Sequence, residues 1–210
     1  GPGCGVKIPL IRSLWLVRKT NRSIALQLIP RPTKKRVDFQ IIVKERDGWA
    51  NQDDKKTKIK DPQFCGTVKR GSATCPCCGY TTPVARVREQ LKSHQGGSND
   101  ARLMVVVRTR SSEQGRFYEV ATDNELRAVR QAAAELERKK KLHVGPLSLV
   151  PDEKISLNEI RRISVPIYGI TYWCDMFTQR QLLALTNLAS LVGKVCPDGE
   201  IGRASCRERG

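Results

Sequence analysis

The chain has 210 residues, with 38 Lys and Arg against 21 Asp and Glu for a net charge of +17, hydrophobic residues at 39% and aromatic residues at only 5%. Its apolar runs are a handful of residues long, far short of the ~20 that cross a bilayer, and the opening Gly1-Pro2-Gly3-Cys4-Gly5 lacks the apolar region of a secretory signal. Length permits one ordinary domain or two small ones. Eight cysteines, clustered and not spread, point to metal ligation in a reducing compartment, by default the cytoplasm, ahead of a disulfide framework.

Charge is unevenly placed. Residues 1–60 hold 15 basic and 5 acidic residues, whereas residues 144–200 hold 5 and 6. The first part therefore reads as a surface that seeks a polyanion, because neutralising phosphates releases condensed counterions. A plain solubilising surface would carry the same excess.

In chain order, Ile8–Val17 and Ile24–Ile29 read as strands across the polar turn Thr20-Asn21-Arg22-Ser23. A third strand is expected over Val37–Val43, where Val37, Phe39 and Ile41 share a face until Ile42 and Val43 break the period. Between them lies a basic hairpin tip, Pro30-Arg31-Pro32-Thr33-Lys34-Lys35-Arg36, and residues 45–62 read as an exposed loop. Beyond the cysteine-rich stretch, Arg102–Thr109 is expected as a buried strand, with Phe117–Val120 as its hairpin partner. Thr122-Asp123-Asn124-Glu125 is a capping box opening a helix with Leu126, Val129, Ala133 and Leu136 at helical spacing. Its terminal Arg138-Lys139-Lys140-Lys141 suits the helix dipole and requires no nucleic acid. A second box, Thr178-Gln179-Arg180-Gln181, opens a helix whose Leu182, Leu185, Leu188, Ala189 and Val192 predict a core-facing stripe capped by Gly193, with Phe177 stapling onto Leu182.

The strongest chemical signal is Cys75-Pro76-Cys77-Cys78-Gly79. In a C-x-x-C turn followed by Gly, two thiolates three residues apart face one metal while backbone N–H groups donate to the sulfurs. Cys75 and Cys78 are the expected ligands, with Cys77 intervening. Cys4-Gly5 looks like the end of a second knuckle whose first Cys would precede residue 1, which makes Cys4 a third ligand. A redox pair and free thiols are the alternatives, the former unsupported by any βαβ pattern. Cys65 is the local substitute for a fourth ligand. Cys174 and Cys196 stand alone, and His94 and His143 read as surface residues.

The run Ile8-Pro9-Leu10-Ile11-Arg12-Ser13-Leu14-Trp15-Leu16 after Cys4-Gly5, then Gly66-Thr67-Val68-Lys69-Arg70-Gly71-Ser72-Ala73-Thr74-Cys75-Pro76, and later Tyr168-Gly169-Ile170-Thr171-Tyr172-Trp173 with Asp175-Met176-Phe177-Thr178-Gln179-Arg180-Gln181-Leu182 carry a resemblance. In this order they resemble the zinc-ribbon-containing adenine-specific DNA methylases, over most of residues 1–194. Cys174 departs from the family pattern, which has Gly there. The resemblance implies a middle segment of such an enzyme, between an S-adenosylmethionine-binding part and an Asp/Asn-Pro-Pro-Tyr catalytic part. Neither motif is among these residues, and no Gly-x-Gly-x-x-Gly occurs. S-adenosylmethionine is thus expected only in the full-length parent, and this chain alone is expected to be inactive. Residues 200–210 resemble the translation of sequencing-adapter read-through and are set apart as an artefactual tail.

The expected fold is α+β: a β-rich zinc ribbon over 1–85 that holds a long insertion, a β-hairpin plus helix over 86–143, and a linker and helix over 144–199. About 70 residues separate the knuckles, against the ~15 to 20 of compact two-knuckle sites, so the hairpin and loop lie within the ribbon. The expected function is DNA binding or positioning within the methyltransferase, with zinc on Cys4, Cys75 and Cys78. Lys34, Lys35, Arg36, Lys69 and Arg70 are the expected phosphate contacts, and the partners are DNA and the rest of the methyltransferase, with no membrane. Two other readings remain: a stand-alone nucleic-acid-binding zinc ribbon, and a purely structural insertion whose zinc replaces a core.

Overall fold

The computed structural model of the chain describes residues 4–156 and 164–195. The fold is α+β, with three antiparallel sheets and three helices among these residues. Of the described residues, 4–91 and 102–123 form one compact unit, and 92–101 with 124–195 form another. The hairpin read at 102–120 thus goes with the first unit, and the helix after it with the second.

The first unit is built on a five-stranded sheet of β1 (Trp15–Arg18), β2 (Ser23–Arg31), β3 (Arg36–Glu45), β4 (Gly48–Asn51) and β5 (Lys58–Ile59), in that order. β2 and β3 pair without interruption from Ile24 opposite Val43 to Arg31 opposite Arg36. Partners that face each other across strands share a face of the sheet, so Ile24, Leu26, Phe39 and Ile41 form one apolar layer. Leu14 joins them, and Met104, Val105, Tyr118 and Val120 pack onto the cluster. The last four come from or flank the hairpin of β9 (Val105–Arg110) and β10 (Glu113–Val120). Each fully buried Leu or Ile here stabilises by roughly 1.5–3 kcal/mol.

A separate three-stranded sheet consists of β6 (Val68–Lys69), β7 (Ser72–Thr74) and β8 (Thr81–Thr82), the region expected to be a zinc ribbon, and is followed by α1 (Val84–Ser93). A second, small cluster of Val6, Val37 and Cys75, with Ile8 and Leu28 against it, joins the start of the chain, the five-stranded sheet and the Cys75 turn. In the second unit, α2 (Asp123–Leu142) buries Leu136 completely and half-buries Leu126, Val129 and Ala133, as the spacing predicts. α3 (Gln179–Val195) opens with the Gln181 side chain accepting from the Thr178 N–H at 2.9 Å, one half of the expected box.

Several expectations are corrected. Of Ile8–Val17 only the end is strand: Pro9 has no N–H to give to a ladder, and residues 9–14 instead cross residues 64–68 irregularly. Leu14 N donates to Phe64 O at 3.0 Å, Val68 N to Ile11 O at 3.0 Å, and Ile11 N to the Thr67 hydroxyl at 3.2 Å. Residues 45–62 are not a loop throughout. Glu45 pairs with Gly48 across the two-residue turn Arg46-Asp47, and Gly48, the first residue of β4, takes a φ of +129° that only Gly adopts freely, so the glycine just after the turn is the hairpin signal. The 105–110 strand is half-buried at its start and exposed beyond it, with Val107 53% exposed. α1, unread in the sequence, buries only Val87. α3 is rotated from its expected stripe: Leu182 and Thr186 are buried, while Leu185, Leu188 and Val192 are exposed and Gly193 lies inside the helix. A helix that is apolar nearly all round does not select its buried side by spacing. On the buried side Asn187 accepts from Lys139 of α2 at 2.5 Å.

The 9–14 and 64–68 crossing passes over Gly66, where a Cβ would lie 1.9 Å from the Ile11 carbonyl oxygen. Gly66→Ala is expected to destabilise by about 1–3 kcal/mol through overpacking against rigid backbone. Gly193→Ala, in the last turn of α3 with nothing within 4 Å of the new methyl, is expected to stabilise by up to about 0.5 kcal/mol. Urea unfolding of both variants measures the contrast.

Candidate metal centre

The Cys75 turn is made by the backbone. Gly79 N donates to Cys75 O and Cys75 N to Tyr80 O, both at 2.9 Å, and Gly79 takes a left-handed φ of +71°. Cys4-Gly5 has the same shape, with Gly5 at a φ of +62°. The two turns face each other so that the sulfurs of Cys4, Cys75 and Cys78 all lie within 4.8 Å of one another, with Cys4 and Cys75 at 3.6 Å. The structure thus brings together all three expected ligands, and they could hold a metal ion. The donor set is soft sulfur on short, fixed turns, which suits a thiophilic cation.

The electrostatics of the cluster differ from sulfur to sulfur. Burial acts to raise the Cys75 pKa, but backbone N–H groups of Cys78 and Cys77 and the neighbouring thiols outweigh it and bring Cys75 down to about 7. At Cys4 the Val6 N–H pulls the other way from burial and the Cys75 and Cys78 thiols, which together raise it. Cys77 is raised too, by burial first and then by Cys75, with the Arg31 backbone N–H opposing. A cation removes the mutual repulsion and lets three sulfurs ionise together.

The other cysteines stand apart. Cys65 is exposed and bridges Ser13, outside the cluster, and Cys174 is half-buried in the second unit with its pKa raised by burial. Cys196 and Cys206 lie outside the described residues. His94 is exposed and pairs with Asp100, and His143 is exposed beside Leu147 O.

The basic hairpin tip is fastened to this centre. Lys7 N donates to Lys35 O at 3.4 Å, and the Lys35 chain lies 3.6 Å from where a Cβ on Gly5 would stand. Lys35 itself is left-handed, at φ +48°, closing a 3-10 turn over Pro32–Lys34. Arg36 is committed in part, with Asp38 at 2.9 Å, and Arg31 and Arg102 share the same carboxylate at 3.4 and 3.6 Å. Lys34 and Lys35 are exposed and have no ion pair among the described residues. Lys69 and Arg70 sit at a different tip, the β6–β7 turn, also exposed and unpaired among the described residues. The sequence reading missed the contributions of Val6 and Arg31, both backbone N–H donors to sulfur. The repeat of Cys-Gly at 4–5 and 78–79 was the available signal for the first.

No family model, no curated protein and no solved structure matches the chain.

Metal per chain, read by elemental mass spectrometry, is expected to be lost in Cys75→Ser and Cys78→Ser and kept in Cys65→Ser. Metal uptake on three thiolates must displace a proton from each of Cys4, Cys75 and Cys78, so well below pH 7 the apparent affinity is expected to fall roughly a thousandfold per pH unit, tenfold for each of the three protons. Competition with a chromophoric chelator across pH 5.5–7 reads the slope, and a flat profile would exclude thiolate ligation.

Proposed function

We propose that this chain is the zinc ribbon of an adenine-specific DNA methyltransferase and that its part is to hold DNA. The observation that carries the reading is the attachment of the Lys34–Lys35 tip to the three-cysteine centre. Cations free of carboxylate partners sit on a left-handed turn whose position is set by the Gly5 and Lys7 backbone. Side chains so placed can meet phosphates with little further ordering, which lowers the entropic cost of binding. Arg36, Lys69 and Arg70 add charge at the same tip and at the ribbon turn.

Zinc on Cys4, Cys75 and Cys78 would supply cross-linking, not reactivity and not net positive charge, since three thiolates outweigh the dication. The chain's own residues do the rest. Backbone N–H groups orient the sulfurs, Gly5 and Gly79 permit the turns, and the lysines attract the polyanion. Methyl transfer and S-adenosylmethionine binding fall to the remainder of such an enzyme, and no residue here is assigned to either.

Duplex DNA binding by the full chain is expected to weaken steeply between 50 and 200 mM salt, as for a protein making several phosphate contacts. Lys34→Ala and Lys35→Ala are each expected to reduce the salt slope by about 1. Lys55→Ala, whose cation already pairs with Glu45 at 3.0 Å, serves as the control with a smaller effect. Binding that is absent, or flat with salt, overturns the reading in favour of a purely structural insertion.

A further inference from the structure

The five-stranded sheet has a second face, opposite the apolar layer. Along β3 it carries Arg36, Asp38, Gln40, Ile42 and Lys44 by the alternation of a strand. A register shift between Trp15 and Val17 lets Val17 turn to the core while Trp15 stands on this second face, opposite Ala25. Trp49 stands there too, opposite Lys44. Phe64 closes the group: its ring stacks on Trp15 at 4.3 Å and tilts against Trp49 at 4.9 Å.

Next to the rings runs a row of side-chain amides. Gln40 donates to Gln27 at 2.6 Å and accepts from Asn51 at 3.2 Å, across β2, β3 and β4. Beyond the amides the face ends in Arg31 and Arg36 at the hairpin tip, about 27 Å from Lys44 at the strand rise of ~3.4 Å. Arg18 lies over the Trp15 ring at 5.4 Å. Beneath the half-buried rings Ala25 and Ile42 are fully buried, while β9–β10 packs on the opposite face.

Aromatic rings, in-plane amides and flanking cations are the chemistry that unstacked bases and their phosphates recognise. Duplex DNA buries its base faces and has no use for rings. We propose that this face is a track for single-stranded DNA, with bases stacking on the Trp15–Phe64–Trp49 group, base edges meeting the amides of Gln27 and Gln40, and phosphates following Lys44 and the Arg31–Arg36 tip. The proposal rests on the DNA-binding reading above and deepens it by naming the form of DNA.

Fluorescence anisotropy with labelled oligothymidylate of about twelve nucleotides, the same length of duplex, and oligouridylate tests it on the full chain. Oligothymidylate is expected to bind at least tenfold tighter than duplex. Trp49→Leu is expected to weaken it roughly 5- to 100-fold, and Lys44→Glu more than threefold, with circular dichroism unchanged. If Trp49→Leu does not fold, Lys44→Glu and Gln27→Glu, at exposed or half-buried positions, decide. Preference for duplex or for oligouridylate, or face variants that bind as the parent does, overturns the track. Duplex binding that still depends on Lys34 and Lys35 would then leave the ribbon reading standing, whereas binding of neither form sinks both.

Discussion

Three sulfurs within 4.8 Å tie together parts of the chain that lie 71 residues apart, and the geometry around them explains much of the first unit. Closing a loop of that length costs on the order of 4 kcal/mol in chain entropy. The local packing that offsets it is thin, with Val6, Val37 and Cys75 as the buried residues of the joint. A metal ion held by the three sulfurs would offset the closure cost, because its binding free energy is also folding free energy. The sulfurs give the same answer electrostatically. Against the effect of burial, Cys75 is drawn down to about 7 by backbone N–H groups while Cys4 is pushed up beside it, the mutual repulsion that a bound cation would relieve.

How much of this could be read from the sequence depends on whether the signal was local. Cys75, Cys78 and Cys4 were legible because a Cys-Gly turn is a local object and its ligand role follows from chemistry. The β2–β3 hairpin was legible for the same reason: two apolar alternations flank a Pro-rich, basic tip. What failed was non-local. Residues 9–14 look like a strand by apolarity, yet their partners are Phe64 and Thr67, and no local pattern announces an irregular crossing. Trp49 and Ile59 sat in a stretch dominated by charge, so its short strands were hidden behind Lys and Asp. Gly48 was the one cue, and it lies just after the turn.

α3 shows the limit of periodicity in another way. Its leucines satisfy helical spacing on two sides, and the side that is buried is the one carrying Thr186 and Asn187, not the one richest in leucine. One polar contact reaches outside the helix, from the Lys139 ammonium to Asn187, whereas the Thr186 hydroxyl turns back to Leu183 O of its own helix at 3.0 Å, a bond that any rotation keeps. Hydrogen bonds that are satisfied only in one rotation of a helix discriminate between rotations more sharply than apolar area that is similar in both.

The same logic of fixing by polar groups governs the basic tip. Burial alone would raise the Asp38 pKa, but the Arg36 and Arg31 guanidiniums hold it below the usual carboxylate range, so it is ionised throughout the neutral pH range. One carboxylate shared among Arg31, Arg36 and Arg102 leaves the group cationic while restraining the planar forks near the sheet. The lysines at the turn carry no such restraint. The tip thus combines two kinds of cation: guanidiniums held in place beside β2 and β3, and ammonium groups that extend from a fixed backbone. Losing Asp38 would raise the net charge by one and free the arginines at once, whereas losing Lys35 removes a charge and leaves the scaffold intact. The arrangement separates the positioning of charge, by the guanidiniums gathered on Asp38, from the additional charge that the turn lysines carry.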